Sequence, residues 1–387
     1  MTKFSKDDTL AVKGIAILIM MQHHCFRTAS LFADYEVSFY PFSQSLIVSI
    51  SNFFKICVGM YVFLSAYGLT ISLKKYDSDY NLNSRQYTNY LNTRLVKLMW
   101  GYWFVFILSQ ILTIFIAPDH TMRYFENGMF RGAFNVLVDF LGLSNLFGTL
   151  SLNNTWWYMT LAVFIVLVVP FMVKGLKKYN ILFVSLVCLF LPRIINFTKD
   201  FRVGEVANSY RWVFAILLGV ICAKYNVLAK IKDFMITKNK VLSKVIKFVI
   251  ATIILVGFYM ARTAFKGTYA NYCFEICDGV IPAYVVYYCY EFVVSIPGIR
   301  QILMFFGKHS MNIFLLHTFI RHYWFPEFTY SFHHFALISL VLFGISLAAS
   351  IVIEAFKKLI GYDKLLNLVV KKIEEKFGRS NKEPVAE

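Results

Sequence analysis

Apolar residues along the chain fall into long blocks separated by short polar runs. Stretches such as Leu161–Val169, Ile246–Val256 and Ala336–Ile353 are almost free of charge. Crossing about 30 Å of hydrocarbon takes about 20 largely apolar residues in a helix. The blocks therefore predict an all-α, polytopic membrane bundle, with spans near 9–26, 46–72, 97–117, 155–173, 180–196, 211–224, 245–262, 275–296, 301–320 and 335–355, about ten in all. A further apolar piece at 133–150 is short and contains Asp139 and Gly142. Charge decides how it is read. If it does not cross, an inner amino terminus puts the basic runs Lys74–Lys97, Lys174–Lys178 and Lys224–Lys247, and the tail from Lys357, on the cytoplasmic side. Most of the 39 lysines and arginines then lie at or beside that face, and the bias collapses if the piece crosses. It is therefore read as re-entrant or as lying along the outer surface, with both termini cytoplasmic.

This pattern gives a transmembrane bundle over 1–356 and a basic cytoplasmic tail over 357–387, the latter read as a surface helix ending in disorder. The outer loops are expected at 27–45, 118–154, 197–210, 263–274 and 321–334. The first apolar block carries two histidines and a lysine and lacks a small-residue cleavage site, which marks a retained helix rather than a signal peptide.

Composition agrees with the pattern. Hydrophobic residues make up 58% of the chain and charged ones 16%, against roughly 45–50% and 25% in soluble domains. A formal charge of +17 would suit a nucleic-acid partner, but the cations lie in short runs between apolar blocks and form no continuous basic surface. Nucleic acid is excluded on that ground. The seven cysteines show neither metal-type pairing nor a secreted disulfide framework, so no metal is expected and Cys273 and Cys277 are read as packed thiols.

Titratable groups inside apolar helices are costly and hence candidates for function. Lys13 and His24 are eleven residues apart. On a helix they fall within about 20° of each other and about 16 Å apart along the axis. A cation at the inner mouth with an imidazole above it suits a phosphate-bearing donor whose far end must be presented. Spacing alone favours a plainer reading, in which Lys13 snorkels and His24 bonds a neighbouring helix. His23 points about 80° away from Lys13, as a supporting or packing residue. Lys55 and Glu291 are expensive placements that either line a cavity or pair with other polar groups.

The stretch "KGIAILIMMQHH" resembles the first helix of the acyltransferase-3 family, membrane enzymes that O-acylate cell-surface glycans. The family has arginine where Lys13 stands, and His24 matches its essential histidine. "YVFLSAYGLT" is similar to the family's second helix, with Ser65 matching and Ala66 in place of glycine. "RLVKLMWGYW" puts Arg94 and Lys97 at the Arg-x-x-Arg positions, and "NNTWWYMTLAVFIVLVVP" resembles the Leu-Trp-Phe/Tyr helix. "FFGKHSMNIFLLHTFI" matches the late Gly307, Ser310 and His317 positions. The departures are mostly lysine for arginine, which keeps phosphate attraction but loses the rigid fork.

The resemblance implies a multi-pass enzyme of a bacterial plasma membrane that moves an acetyl group from acetyl-coenzyme A to a cell-surface or lipid-linked glycan. It implies that Lys13, Arg94 and Lys97 hold the donor's phosphates, although spacing alone makes Arg94 and Lys97 a positive-inside anchor. His24 is then the general base or a transient acyl carrier. Ser65, Trp157 and Tyr158 are possible oxyanion donors, the last two also touching substrate, and His317 orients the pair or binds acceptor. Trp156–Tyr158 would otherwise be an interfacial aromatic belt. His120, His322, His333 and His334 are given no role. With no esterase-like domain in the sequence, the bundle is expected to complete the transfer itself or pass the acyl group to a partner. A transporter without chemistry is the competing reading, but interrupted helices in corresponding halves are not evident.

Overall fold

The computed structural model describes residues 3–197, 211–265 and 274–378. In chain order its helices are α1 (Lys6–Phe26), α2 (Gln44–Phe53), α3 (Ile56–Leu73), α4 (Ser84–Ile116), α5 (Pro118–Met122), α6 (Met129–Phe140), α7 (Ser144–Phe147), α8 (Trp157–Lys178) and α9 (Ile181–Phe197). They continue as α10 (Val213–Tyr225), α11 (Val227–Asp233), α12 (Lys240–Phe265), α13 (Phe274–Tyr288), α14 (Ile299–Thr318), α15 (Pro326–Tyr330), α16 (Phe335–Leu359) and α17 (Tyr362–Phe377). π-Helical turns follow α13 at Cys289–Val293 and α14 at Phe319–Trp324. Among the described residues no strand forms beyond a single bridge between Ser38 and His334.

Six stretches are long and apolar enough to cross a membrane: Lys6–Phe26, Gln44–Leu73, Ser84–Ile116, Asn154–Lys178, Lys240–Ala264 and Phe335–Leu359. A seventh candidate, α10 with α11, is bent by 64°. Of the other expected spans, the apolar part of α9 is short, Ile181–Leu191. α13 carries Asp278 and Pro282, and α14 carries Arg300, Lys308 and His309. The expected outer loops at 197–210 and 263–274, Cys273 and the end of the tail lie wholly or largely outside the described residues, as does the side chain of Cys277.

The chain divides into two compact units. The first comprises Met1–Tyr67, Phe214–Ser310 and Tyr330–Leu340. Its α1 starts at a capping box in which Ser5 accepts from the Asp8 amide and Asp8 answers to the Ser5 amide. Such a cap is worth about 1 kcal/mol, and Asp7 and Asp8 also complement the helix dipole. Along α1, three contacts set the register with α2 and α3. The His23 ring meets the Ser51 carbonyl, Tyr61 donates to the Lys13 carbonyl and Tyr67 donates to the Phe4 carbonyl. As one number rises the other falls, so α2–α3 runs antiparallel to α1.

Two glycines let α14 cross α1 backbone to backbone. A Cβ at Gly14 would stand 2.1 Å from the Leu303 carbonyl oxygen, and one at Gly307 would stand 1.8 Å from that of Leu10. Small residues permit this approach in membranes, where packing rather than water drives helix association. The surrounding core includes Val12, Ala16, Phe63, Val286 and Leu303. Glu291 is buried in its π-turn 2.5 Å from Lys247, whose ammonium also caps the Ile231 and Lys232 carbonyls. The expensive carboxylate is therefore an ion pair. Lys55 is exposed at the break between α2 and α3 and sits within neither helix.

The second unit comprises Gly68–Val213, Met311–Thr329 and Val341–Glu387. α4 is its ruler. At its amino end α17 lies antiparallel along it: Arg85 donates to the Lys376 carbonyl, Asn89 to that of Gly378 and Trp100 to that of Tyr362. The expected surface helix thus docks on α4. Further along α4, Tyr102 donates to the Asp139 carbonyl and Trp103 to that of Phe140, while a Cβ on Gly142 would meet Met99. At the far end Gln110 reaches Tyr124 and Thr113 accepts from Trp324. The tip of the 133–150 segment therefore lies beside residues 99–103 of α4, about 20 Å short of its end at Ile116, and the chain then returns. This is the re-entrant course, held by buried Asp139, which accepts from Ser144 at 2.8 Å, the Leu152 amide at 2.9 Å, and Tyr124.

Candidate functional site

Lys13, His24 and Ser65 belong to the first unit, and Arg94, Lys97, Trp157, Tyr158 and His317 to the second. α1 is unbroken from Lys6 to Phe26, so the eleven-residue interval is helical throughout. Lys13 and His24 therefore share a face about 16 Å apart, and both are half-buried. Their neighbours are fixed around them. Buried His23 has its Nδ1 2.7 Å from the Ser51 carbonyl oxygen, which makes that nitrogen the donor. Gln22 reaches the Ser51 hydroxyl and accepts from Ser339, and the His23 and His24 rings meet edge to face at 5.2 Å. His23 is thus the residue that anchors the end of α1, and His24 is the one turned to a different face.

Ser65 does not accompany His24. The antiparallel register pairs Tyr61 with Lys13 and Tyr67 with Phe4, so Ser65 lies level with Asp8 and Thr9. That is roughly 22 Å from His24 along α1. The serine stands at the lysine end.

In the second unit the predicted residues occupy successive levels of α4. Arg94 is half-buried, with its Nε enclosed and unbonded, and Lys97 is exposed. Trp156 packs against Tyr102, Phe106 and Phe319 at 5.3–5.5 Å between ring centres. Its level is thus about 12–18 Å along α4 from Arg94. The expected interfacial belt is not what the structure has: Trp156 is 2% exposed and part of the core, because the chain re-enters beside α4 before α8 begins. Trp157 and Tyr158 follow half-buried, with Tyr158 edge-on to Phe314.

His317 is fully buried, and both ring nitrogens are engaged. Nδ1 faces the Ile313 and Phe314 carbonyls at 3.1 and 2.9 Å, and Nε2 faces the Thr318 hydroxyl at 3.1 Å. The carbonyls require a proton on Nδ1, so Nε2 accepts from Thr318. Beside it Asn153 accepts from the Thr155 amide and hydroxyl, and both Asn153 and the Trp156 indole donate to the Leu315 carbonyl. This buried network fixes the start of α8 against α14.

Sequence reasoning did not reach Asn153, Thr155 or Thr318. The only hint was the polar "NNT" ahead of the tryptophans. It also passed over His120, whose Nε2 lies 2.7 Å from the Leu152 carbonyl oxygen and whose ring stacks on Tyr323 at 4.0 Å. Burial lowers the pKa of His120 more than its bond to that carbonyl raises it. Burial likewise raises the pKa of Asp139 against the opposing effect of its hydrogen bonds.

The family model described as an acyltransferase domain matches residues 11–355. No curated protein and no solved structure matches the chain.

Proposed function

Because the chain belongs to the acyltransferase-3 family, we propose that it moves an acetyl-type group from cytosolic acetyl-coenzyme A to a hydroxyl of a cell-surface or lipid-linked glycan. The observation that carries the reading is the unbroken α1, with Lys13 and His24 half-buried on one face and separated by about the reach expected of a donor arm. In this reading both termini are cytoplasmic, the chain crosses the plasma membrane about ten times, and the basic ends of α1 and α4 face the cytosol.

Lys13, Arg94 and Lys97 attract the donor's phosphates as point charges or, for Arg94, through its guanidinium fork. Ser65, level with Thr9, belongs to this donor end. His24, as a neutral imidazole, accepts the proton of the sugar hydroxyl while that oxygen attacks the thioester carbonyl. General-base help of this kind supplies roughly 10²–10⁴-fold. The tetrahedral intermediate collapses to the sugar ester, and the thiolate of coenzyme A leaves and takes up the proton. The Trp157 indole N–H and the Tyr158 hydroxyl are the donors for the oxyanion. His317, with both nitrogens engaged, acts as a positioning residue for the Thr155–Asn153 network.

The test supplies purified protein with radiolabelled acetyl-coenzyme A and candidate glycans, for the parent and for His24→Ala. Label transfer is expected to fall at least about a hundredfold in the variant, with unchanged membrane insertion. Equal rates in parent and variant would refute the role of His24. Lys13→Ala and Arg94→Ala are expected to raise the donor KM more than they lower kcat.

A further inference from the structure

The far end of the second unit holds a group of cationic and aromatic side chains that the acyl-transfer chemistry does not use. His120 follows α4 on the short α5, Arg123 lies on the next turn, and Arg321, His322 and Tyr323 come from the π-turn after α14. The His120 ring lies on Tyr323 at 4.0 Å and the His322 ring lies against it at 4.8 Å. An Arg123 guanidinium nitrogen stands 3.4 Å from His120 Nδ1. His120 Nε2 gives its proton to the Leu152 carbonyl, so Nδ1 carries a lone pair and accepts from Arg123. The fields of Arg321, His120 and Arg123 all converge on His322 and, together with burial, lower its pKa.

Arg123 is half-buried, and among the described residues no carboxylate pairs with it. Asp119, Glu126 and Glu327, the acids on the neighbouring turns, are exposed. Two guanidinium groups and two imidazoles gathered on two short elements would repel one another without a counter-charge. A guanidinium fork beside stacked rings suits a planar or tetrahedral oxyanion attached to a sugar, whose apolar face the rings can cover. The group is also well placed along the unit. From Arg94 to the end of α4 at Ile116 is about 33 Å, close to one bilayer thickness. One residue links it inwards: Leu152, whose carbonyl holds His120, immediately precedes Asn153 of the His317 network.

We infer that His120, Arg123, Arg321, His322 and Tyr323 form a recognition site for an anionic group, phosphate or carboxylate, carried by the glycan acceptor on the face opposite the donor. The inference rests on the acyl-transfer reading for the word acceptor, but the anion site itself does not. Arg123 supplies the fork, His120 holds it in place, and Tyr323 supplies the stacking surface.

The experiment uses the full chain in non-ionic detergent with no acyl donor present. Inorganic pyrophosphate and, separately, glucuronate are titrated in while intrinsic fluorescence is followed, since Trp324 adjoins the site. Saturable, salt-sensitive binding is expected, weakened at least about tenfold in Arg123→Gln and less in Arg123→Lys, which keeps the charge. His322→Gln, at an exposed position, serves as a second variant and should also weaken binding. Arg94→Gln, at the other end of α4, should leave this binding unchanged. Saturation by pyrophosphate assigns a phosphate-bearing acceptor, and saturation by glucuronate assigns an acidic sugar. Binding of neither probe overturns the inference, as does binding that survives Arg123→Gln and His322→Gln or is lost only in Arg94→Gln. Because no acyl group is transferred in this measurement, its failure leaves the His24 chemistry standing, and failure of the His24 test leaves the anion site standing.

Discussion

The crossing of α1 and α14 predicts a large penalty for one methyl group. In Gly307→Ala the added carbon would stand 1.8 Å from the Leu10 carbonyl oxygen and 3.2 Å from the Gly14 nitrogen. Ordinary contacts of such a carbon begin near 3.0–3.4 Å, so the helices must part by roughly 1.5 Å. No rotamer relieves the clash, because the obstructing atom belongs to the main chain. Overpacking costs about 1–3 kcal/mol and sometimes more, and rigid backbone puts this site at the upper end. Alanine recovers about 1 kcal/mol of helix propensity. The net is about 2 kcal/mol, or about 30-fold in the unfolding constant. Gly257 is the control: it sits within α12, and a Cβ there meets nothing within 4 Å, so Gly257→Ala should be neutral or slightly stabilising. Reversible unfolding in mixed detergent micelles compares the three proteins. Because α1 carries Lys13 and His24, a displacement above about 1 Å should also cut acetyl transfer by roughly a hundredfold. If Gly307→Ala unfolds like Gly257→Ala, the close backbone crossing is not a constraint and the reasoning fails.

Three further outcomes are expected. Glu291→Gln leaves the Lys247 ammonium buried without its counter-ion and should cost about 3–5 kcal/mol, whereas Glu291→Leu combined with Lys247→Met should recover most of it. A double-mutant cycle that returns simply additive costs would count against the pair. Asn153→Ala removes one of two donors to the Leu315 carbonyl and both acceptor bonds to Thr155, a loss of about 1–3 kcal/mol in the same unfolding assay. The folded pKa of His120 is lowered, so its contribution is intact above about pH 6.5 and is lost as pH falls towards the folded value. Asp139 has a raised folded pKa and contributes in the opposite sense, favouring the fold at low pH and losing effect as pH rises through the folded value. His120→Gln should therefore flatten the decline between about pH 7 and pH 5, and an unchanged slope would remove His120 as its source.

What was legible in the sequence is what periodicity and composition encode. Apolar blocks gave the helices, and the single charge in a short block, Asp139, gave the re-entrant segment. The eleven-residue interval gave the shared face of Lys13 and His24, since an intact helix fixes that relation by itself. Register between helices was not legible. The motif joined Ser65 to His24, but the pairing of Lys13 with Tyr61 puts the serine at the other end of α1. The reason that Gly14 and Gly307 stand in their motifs is likewise a contact between distant helices, and no local pattern reports it. His120 and His322 looked inert because each is alone in its own loop, and their common partner is Tyr323.

One consequence of that difference concerns how the second unit is organised. Arg94, then the Trp156–Thr155–His317 level, then the Arg123 group follow one another along α4. Cations stand at both ends, with a buried hydrogen-bonded network between them. A purely structural stack would need charge at only one edge, the cytoplasmic one that the positive-inside rule explains. The second basic group lies about one bilayer thickness away, where that rule gives no reason for it. Charge at both ends follows naturally if two negatively charged molecules approach from opposite faces, the donor at one and the acceptor at the other. On that account, neutralising Arg123 and neutralising Arg94 should raise the KM of different substrates, and each variant should leave the KM of the other substrate within about twofold of the parent.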